Sequence, residues 1–405
     1  MAVLAVTLGW LSLTGASPPP RPALKIGVSL PLTGPDARWG VPILQGVQLA
    51  LEDMNRGGAG GHTLETLALD SAALGADIRS RQRAAAASYE RFVADPTVIA
   101  AVGPQTSSEG RAVAALLSRA NLATITPSAT TFDITDPTLR ATFRPSGRAV
   151  YFRTVGTDLA QADAMARFAH ARLGIRRVVL IDDGLDSQMR LVDTFARRAA
   201  ALGMTVLIRR QINWIQLDYR EELRELGAVL KPDALYVGVR FPAGVKLARQ
   251  VPGILPSVHV LGTESLYNGA FPIQARPTGA EGWYVPNVAP DPAASAAAAA
   301  WAERFQGRFG SAPSGYSLAA YTAVTVIADA LGRVVKRGQP VTRANVRDAI
   351  EATRLPDALS GPVSFDRDGD LERPVVSIYQ VKSGAFQHVE TLLSTEAKNG
   401  SRRQR

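Results

Sequence analysis

The chain has 405 residues, 46% apolar and 20% charged, enough for a large core divided between two or more domains. Its formal charge is +9, but acidic and basic residues alternate through the body and no basic stripe interleaves with aromatics, so nucleic acid is not an expected partner. Cys is absent, which excludes disulfides, thiolate metal sites, Cys nucleophiles and the lipid-attachment Cys of a bacterial lipoprotein. His62, His170, His259 and His388 form no ligand-spaced pair, so no metal and no other cofactor is expected.

Residues 3–13 are apolar but too short to span a bilayer comfortably, and Gly15, Ala16 and Ser17-Pro-Pro-Pro20 follow. This predicts a cleaved export signal with a Pro-rich linker over 1–23, although no Lys or Arg precedes the apolar run. No later run is expected to cross a membrane. From residue 24 strands and helices alternate. A strand is predicted over 25–30, then a helix over 39–55 with Leu44, Val47, Leu51 and Met54 on one face. Gly57-Gly-Ala-Gly-Gly61 stops that helix. It lacks the Gly-Lys-Ser/Thr ending of a phosphate loop and no helix follows directly. A strand over 64–70 and a helix over 76–92 come next.

Two short apolar runs, 97–102 and 122–125, suit fully buried parallel strands. Each breaks into a small polar loop, Val102-Gly-Pro-Gln-Thr-Ser-Ser108 and Thr124-Ile-Thr-Pro-Ser-Ala-Thr130. Ligands of open α/β sheets sit outside the carboxyl ends of the strands, where these loops lie. The hydroxyls of Ser107, Ser128 and Thr130 can hold a small polar molecule there, or can simply cap the following helices. A helix over 109–119 joins the two strands.

After Phe143-Arg-Pro-Ser-Gly147 the alternation restarts. Helices are predicted over 158–173 (Asp158 as N-cap), 185–202, 218–230 and 242–251, with strands over 177–182, 204–208, 234–239 and 257–261. Three helices follow, over 293–309, 317–337 and 342–353. The end holds two antiparallel strands, 361–366 and 375–381, around Asp366-Arg-Asp-Gly-Asp370. That turn lacks the register and bidentate Glu of a calcium loop and is expected to be solvated.

In this order, Leu24-Lys-Ile-Gly-Val-Ser-Leu-Pro-Leu-Thr-Gly-Pro35, Gly103-Pro-Gln-Thr-Ser-Ser108, Ile125-Thr-Pro-Ser-Ala-Thr130, Lys231-Pro-Asp-Ala-Leu-Tyr236 and Gly361-Pro-Val-Ser-Phe-Asp366 resemble the periplasmic leucine/isoleucine/valine-binding protein family. These are the substrate-binding proteins of branched-chain amino acid and amide ABC transporters. The resemblance implies an α/β type I periplasmic binding fold: two doubly wound βα lobes joined by three crossing strands, here near 148–154, 282–285 and 356–362. The implied N-terminal lobe is 24–147 plus 285–355, the C-terminal lobe 148–284 plus 360–394, and 395–405 a basic disordered tail.

The same resemblance implies hinge closure on an amino acid, amide or similar small polar molecule. It implies a soluble, exported monomer whose partners are a membrane permease and ATPase. It places Ser107, Ser128 and Thr130 on the ligand head group, Trp39 over the ligand, Glu264 on the ammonium and Tyr316 in the side-chain pocket. Two positions depart from the family pattern, Asp186 and Arg240, where aromatics are common. Arg240 either meets an anion or carbonyl on the ligand side chain, pairs with Asp186, or gives way to Phe241 facing the cleft. A ligand sensor of the same fold remains an alternative. An α/β enzyme is disfavoured because no Gly-x-Ser-x-Gly elbow, Cys nucleophile or Gly-x-Gly-x-x-Gly fingerprint is present. A repressor is disfavoured because no helix-turn-helix precedes the first strand.

Overall fold

The structure, a computed structural model, describes residues 23–73 and 77–394. The expected export signal, save residue 23, and the basic tail lie outside them. The first sheet takes its strands from five βα units: β1 (Leu24–Leu30), β2 (Leu64–Asp70), β3 (Val98–Val102), β4 (Thr124–Thr126) and β5 (Tyr151–Arg153). Its order is β2-β1-β3-β4-β5 and all pairs are parallel. Every residue of β3 and β4 is buried, as a sheet covered on both faces by crossover helices requires.

The second sheet begins with β6 (Arg177–Asp182), β7 (Thr205–Gln211), β8 (Ala234–Gly238), β9 (His259–Gly262) and β10 (Tyr284–Asn287). A two-stranded ribbon of β11 (Arg354–Leu355) and β12 (Val363–Ser364) follows, then β13 (Val375–Lys382) and β14 (Ala385–Leu393). The order is β14-β13-β10-β9-β8-β6-β7, parallel except for β13 and β14. The strands expected over 361–366 and 375–381 therefore do not pair with each other. β12 pairs with β11, and β13 sits between β10 and β14.

Each sheet has its own core. Ile26, Val28 and Val102 pack with Trp301, Phe305 and Val324 in the first, while Leu180, Tyr236 and Phe195 pack in the second. The helix Gly315–Lys336 is long and apolar enough to cross a membrane, against the expectation from sequence. Its apolar surface is instead covered by the first lobe, where it crosses the helix Ala37–Gly57. The crossing is close because Gly46 lies against the Ser317 carbonyl; a Cβ there would come within 2.2 Å of that oxygen.

Sheet membership moves the expected lobe boundaries. β5 pairs with β4, so 151–153 closes the first sheet rather than opening the second lobe. β10 lies in the second sheet, and Val363 and Phe365 pack in the first core. The chain thus passes between sheets near 154–157, 288–295 and 366–375. The turn Asp366 to Asp370 at the third passage exposes Arg367 but, against the expectation of a solvated turn, buries Asp368 and Asp370. Asp368 pairs with Arg144 at 2.6 Å and Asp370 with Arg153 at 2.6 Å, and all four side chains are buried or nearly so.

Candidate functional site

The loops after β3 and β4 are bound to each other before any ligand arrives. Thr106, not Ser107, caps the helix Ser107–Ala120, forming a capping box with Glu109. Glu109 is buried and receives Nε of Arg81 at 3.1 Å, and Arg81 also holds Asp36 and Gln105. Thr126 donates its hydroxyl to the Pro104 carbonyl and accepts from the Ala129 amide. Ser107 is thereby released from capping, and its hydroxyl accepts from the Thr131 amide at 3.3 Å.

The second lobe presents its own strand ends opposite. Thr157 caps the helix Asp158–Arg172, so the Asp158 carboxyl expected to do so is free to take the Thr130 hydroxyl. The Asp158 amide donates to the Thr130 carbonyl at 2.9 Å. After β9, the Glu264 amide donates to Gln161 Oε1 at 3.0 Å, and its carboxyl accepts from the Val288 amide. Glu264 Oε2 is sealed from solvent and has no hydrogen-bond partner.

Between these ends lies a cleft of about 780 Å³. Ser107, Thr130 and Arg111 line it from the first lobe, and Asp158, Glu264, Gln188 and Leu191 from the second. Trp39, Tyr267 and Tyr316 form its aromatic wall. Arg111 is held in place by Asp133 at 2.7 Å and Thr131 at 2.8 Å. Two acids without a basic partner share this space. Burial, then the neighbouring Asp158, pushes the Glu264 carboxyl up to about 8. Burial also raises Asp158, against the Thr130 hydroxyl, Arg153 and Arg111.

Of the residues singled out from sequence, Trp39, Ser107, Thr130, Glu264 and Tyr316 line the cleft. Asp186 lies at its rim, largely exposed and 3.5 Å from Arg190. Ser128 and Arg240 do not line it. Ser128 donates its hydroxyl to the Gln105 carbonyl at 2.8 Å, so it stitches the two loops together. Arg240 turns away: its Nε lies 3.4 Å from Asp183 and its guanidinium 4.7 Å from the centre of the Trp214 ring. It pairs with neither Asp186 nor a cleft group, and Phe241 packs on Phe271 instead of facing the cleft. Asp158, Arg111, Gln188 and Tyr267 were not anticipated. Arg111 is one turn after Ser107 on the same helix face, a signal the sequence did carry. Among the described residues no group of acidic and His side chains could hold a metal ion.

The sequence profile of a family described as periplasmic binding protein matches residues 23–385. The chain belongs to the periplasmic binding protein family. A Leu/Ile/Val-binding protein, BraC3 of Rhizobium johnstonii, is 27% identical over 384 residues, covering 95% of this chain and 96% of the relative. A leucine-binding protein of Thermotoga maritima has a similar structure, with TM-score 0.74 at 24% identity, over 91% of this chain and 98% of that one. A solute-binding protein of Rhodopseudomonas palustris in complex with benzoate matches with TM-score 0.66 at 20% identity, over 91% and 96%. The chain is accordingly a solute-binding protein of this family and not an enzyme. Its two doubly wound lobes are those of the type I periplasmic binding fold.

Proposed function

We propose that this periplasmic binding protein captures an amino acid between its lobes and presents the closed form to a membrane permease driven by an ATPase. The observation that carries the reading is the Glu264 carboxyl, buried in the cleft with one oxygen unpartnered. A buried acid without a partner is costly, and an ammonium group is the chemistry that answers it. Ser107, Thr130 and the amides at the start of the helix Ser107–Ala120 then take the carboxylate end. Trp39, Tyr267 and Tyr316 cover the side chain.

The magnitudes are sufficient. Charge-assisted hydrogen bonds contribute about 1.5–3 kcal/mol each. Four of them, less the costs of ordering and closure, reach the roughly 8 kcal/mol of micromolar binding. Because the ligand's contacts come from both lobes, its differential affinity favours the closed state. An aromatic acid without an amine, such as benzoate, would leave Glu264 and Asp158 unanswered, which supports the amino-acid reading over that one.

Isothermal titration of the purified protein with L-leucine, L-isoleucine, L-valine, L-alanine, leucinamide and benzoate tests this. Binding of at least one amino acid, with benzoate inert, is expected. Binding of benzoate alone would overturn the reading.

A further inference from the structure

We propose that this cleft exchanges a proton for its ligand: one of the two carboxyls, Asp158 or Glu264, keeps a proton when no ligand is bound and releases it when a cationic amine enters. The inference rests on the amino-acid reading and adds to it that the occupant of this end of the cleft must be a cation.

The geometry is an acid pair without an ion-pair partner, although Arg153 and Arg111 favour the Asp158 carboxylate. Asp158 starts the helix Asp158–Arg172, and Glu264 follows β9; both line the same cleft. Among the described residues no Lys, Arg or His forms an ion pair with either. The two nearest cations are committed elsewhere, Arg111 to Asp133 and Arg153 to Asp370. The other ionisable side chains acting on the pair are Asp133, itself paired with Arg111, and two phenols, Tyr236 from β8 and Tyr316 from the helix Gly315–Lys336, while Tyr267 lines the same cleft. None can supply positive charge. Two further polar atoms around the pair are buried and unpartnered, Nε2 of Gln161 and the hydroxyl of Tyr236. Gln161 and Tyr236 are both fully buried. Glu264 Oε2, Gln161 Nε2 and Tyr236 Oη are thus buried beside the pair without a protein hydrogen-bond partner.

The charge balance then fixes the exchange. Like charges at close quarters in a buried site do not both ionise, so one carboxyl keeps its proton at neutral pH. An ammonium between them stabilises both carboxylates and lowers the affinity for that proton. Binding therefore expels a proton to solvent: the ammonium takes the proton's place beside the two carboxylates, and with a zwitterionic amino acid the complex ends one unit more negative than the unliganded protein.

Two measurements on the full chain test this. The first is a carbon NMR titration of the empty protein labelled at Glu Cδ, with Glu264→Gln identifying the resonance. Glu264 is expected to titrate near 8 and to move well below that when L-leucine, or the amino acid that binds best, saturates the cleft. The second is calorimetric titration with the same probe in phosphate and in Tris at pH 7. Release of close to one proton per ligand is expected, with affinity rising up to about tenfold per pH unit between pH 6 and 8. Asp158→Asn removes the like charge, so it should shrink the proton release and flatten the pH dependence. Binding that is identical in both buffers, or a Glu264 resonance titrating in the ordinary carboxylate range, overturns the exchange while leaving amino-acid capture intact. Failure of every amino acid to bind overturns the functional reading and the exchange together.

Discussion

At the scale of single residues, two hydroxyls of one polar loop do different work. Ser128 and Thr130 are two residues apart in one loop, yet Ser128 ties back to Gln105 while Thr130 meets the cleft and Asp158. Residue type says that both can bond; only the path of the loop says with what. The two should therefore respond differently to mutation. Thr130→Val and Glu264→Gln should each weaken amino-acid binding by about tenfold to a hundredfold, the worth of a charge-assisted hydrogen bond. Ser128→Ala should lower stability by about 1 kcal/mol and change affinity by less than about threefold. Calorimetric affinities beside denaturant midpoints separate the two classes. A Ser128→Ala loss as large as that of Thr130→Val would mean that Ser128 touches the ligand.

At the scale of elements, the alternation of strand and helix was readable because buried parallel strands and amphipathic helices have distinct periods. The short elements were not. β5, β10 and β12 are two to four residues long, too short to show a period, and they carry the passages between sheets. The turn Asp366 to Asp370 shows the same limit in another way. Its composition is that of a surface turn, but its partner Arg153 lies 217 residues away in sequence. Long-range pairing leaves no mark in a local window. The structural consequence is measurable. Arg153 is fully buried, and its guanidinium joins Asp370, the Ala129 carbonyl and Thr135. Arg153→Met should destabilise the protein by about 3–5 kcal/mol, since it strips the counter-charge from a buried carboxylate. The double change Arg153→Met with Asp370→Leu should recover much of that loss. A single variant as stable as the parent, measured by urea unfolding, would show that this pair does not hold the third passage.

At the scale of the whole molecule, two sheets with separate cores meet across a cleft that contains the acid pair, so protonation, stability and lobe opening are linked. The sign follows from Glu264. Its carboxyl ionises near 4.5 in the unfolded chain and near 8 in the folded one. Between those values the folded protein binds more protons than the unfolded, so stability falls as pH rises across that window and levels above it. Asp158, raised in the same direction, adds to the fall. Asp95 acts at the other end. Hydrogen bonds from Thr97 and Lys25 hold it down at about 2, so its contribution is present at neutral pH and disappears as pH drops toward that value. The empty protein should therefore be most stable in mildly acidic solution. It also has a cheaper route than unfolding, because opening the cleft returns Glu264 and Asp158 to water while both cores stay packed. Small-angle scattering of the empty protein should show a larger radius of gyration at pH 9 than at pH 6, and melting temperature should decline over the same range. Glu264→Gln should flatten both profiles, and a saturating amino acid should restore the compact form at pH 9. A radius independent of pH, with a melting temperature that still declines, would place the cost of ionisation in the cores rather than in the cleft.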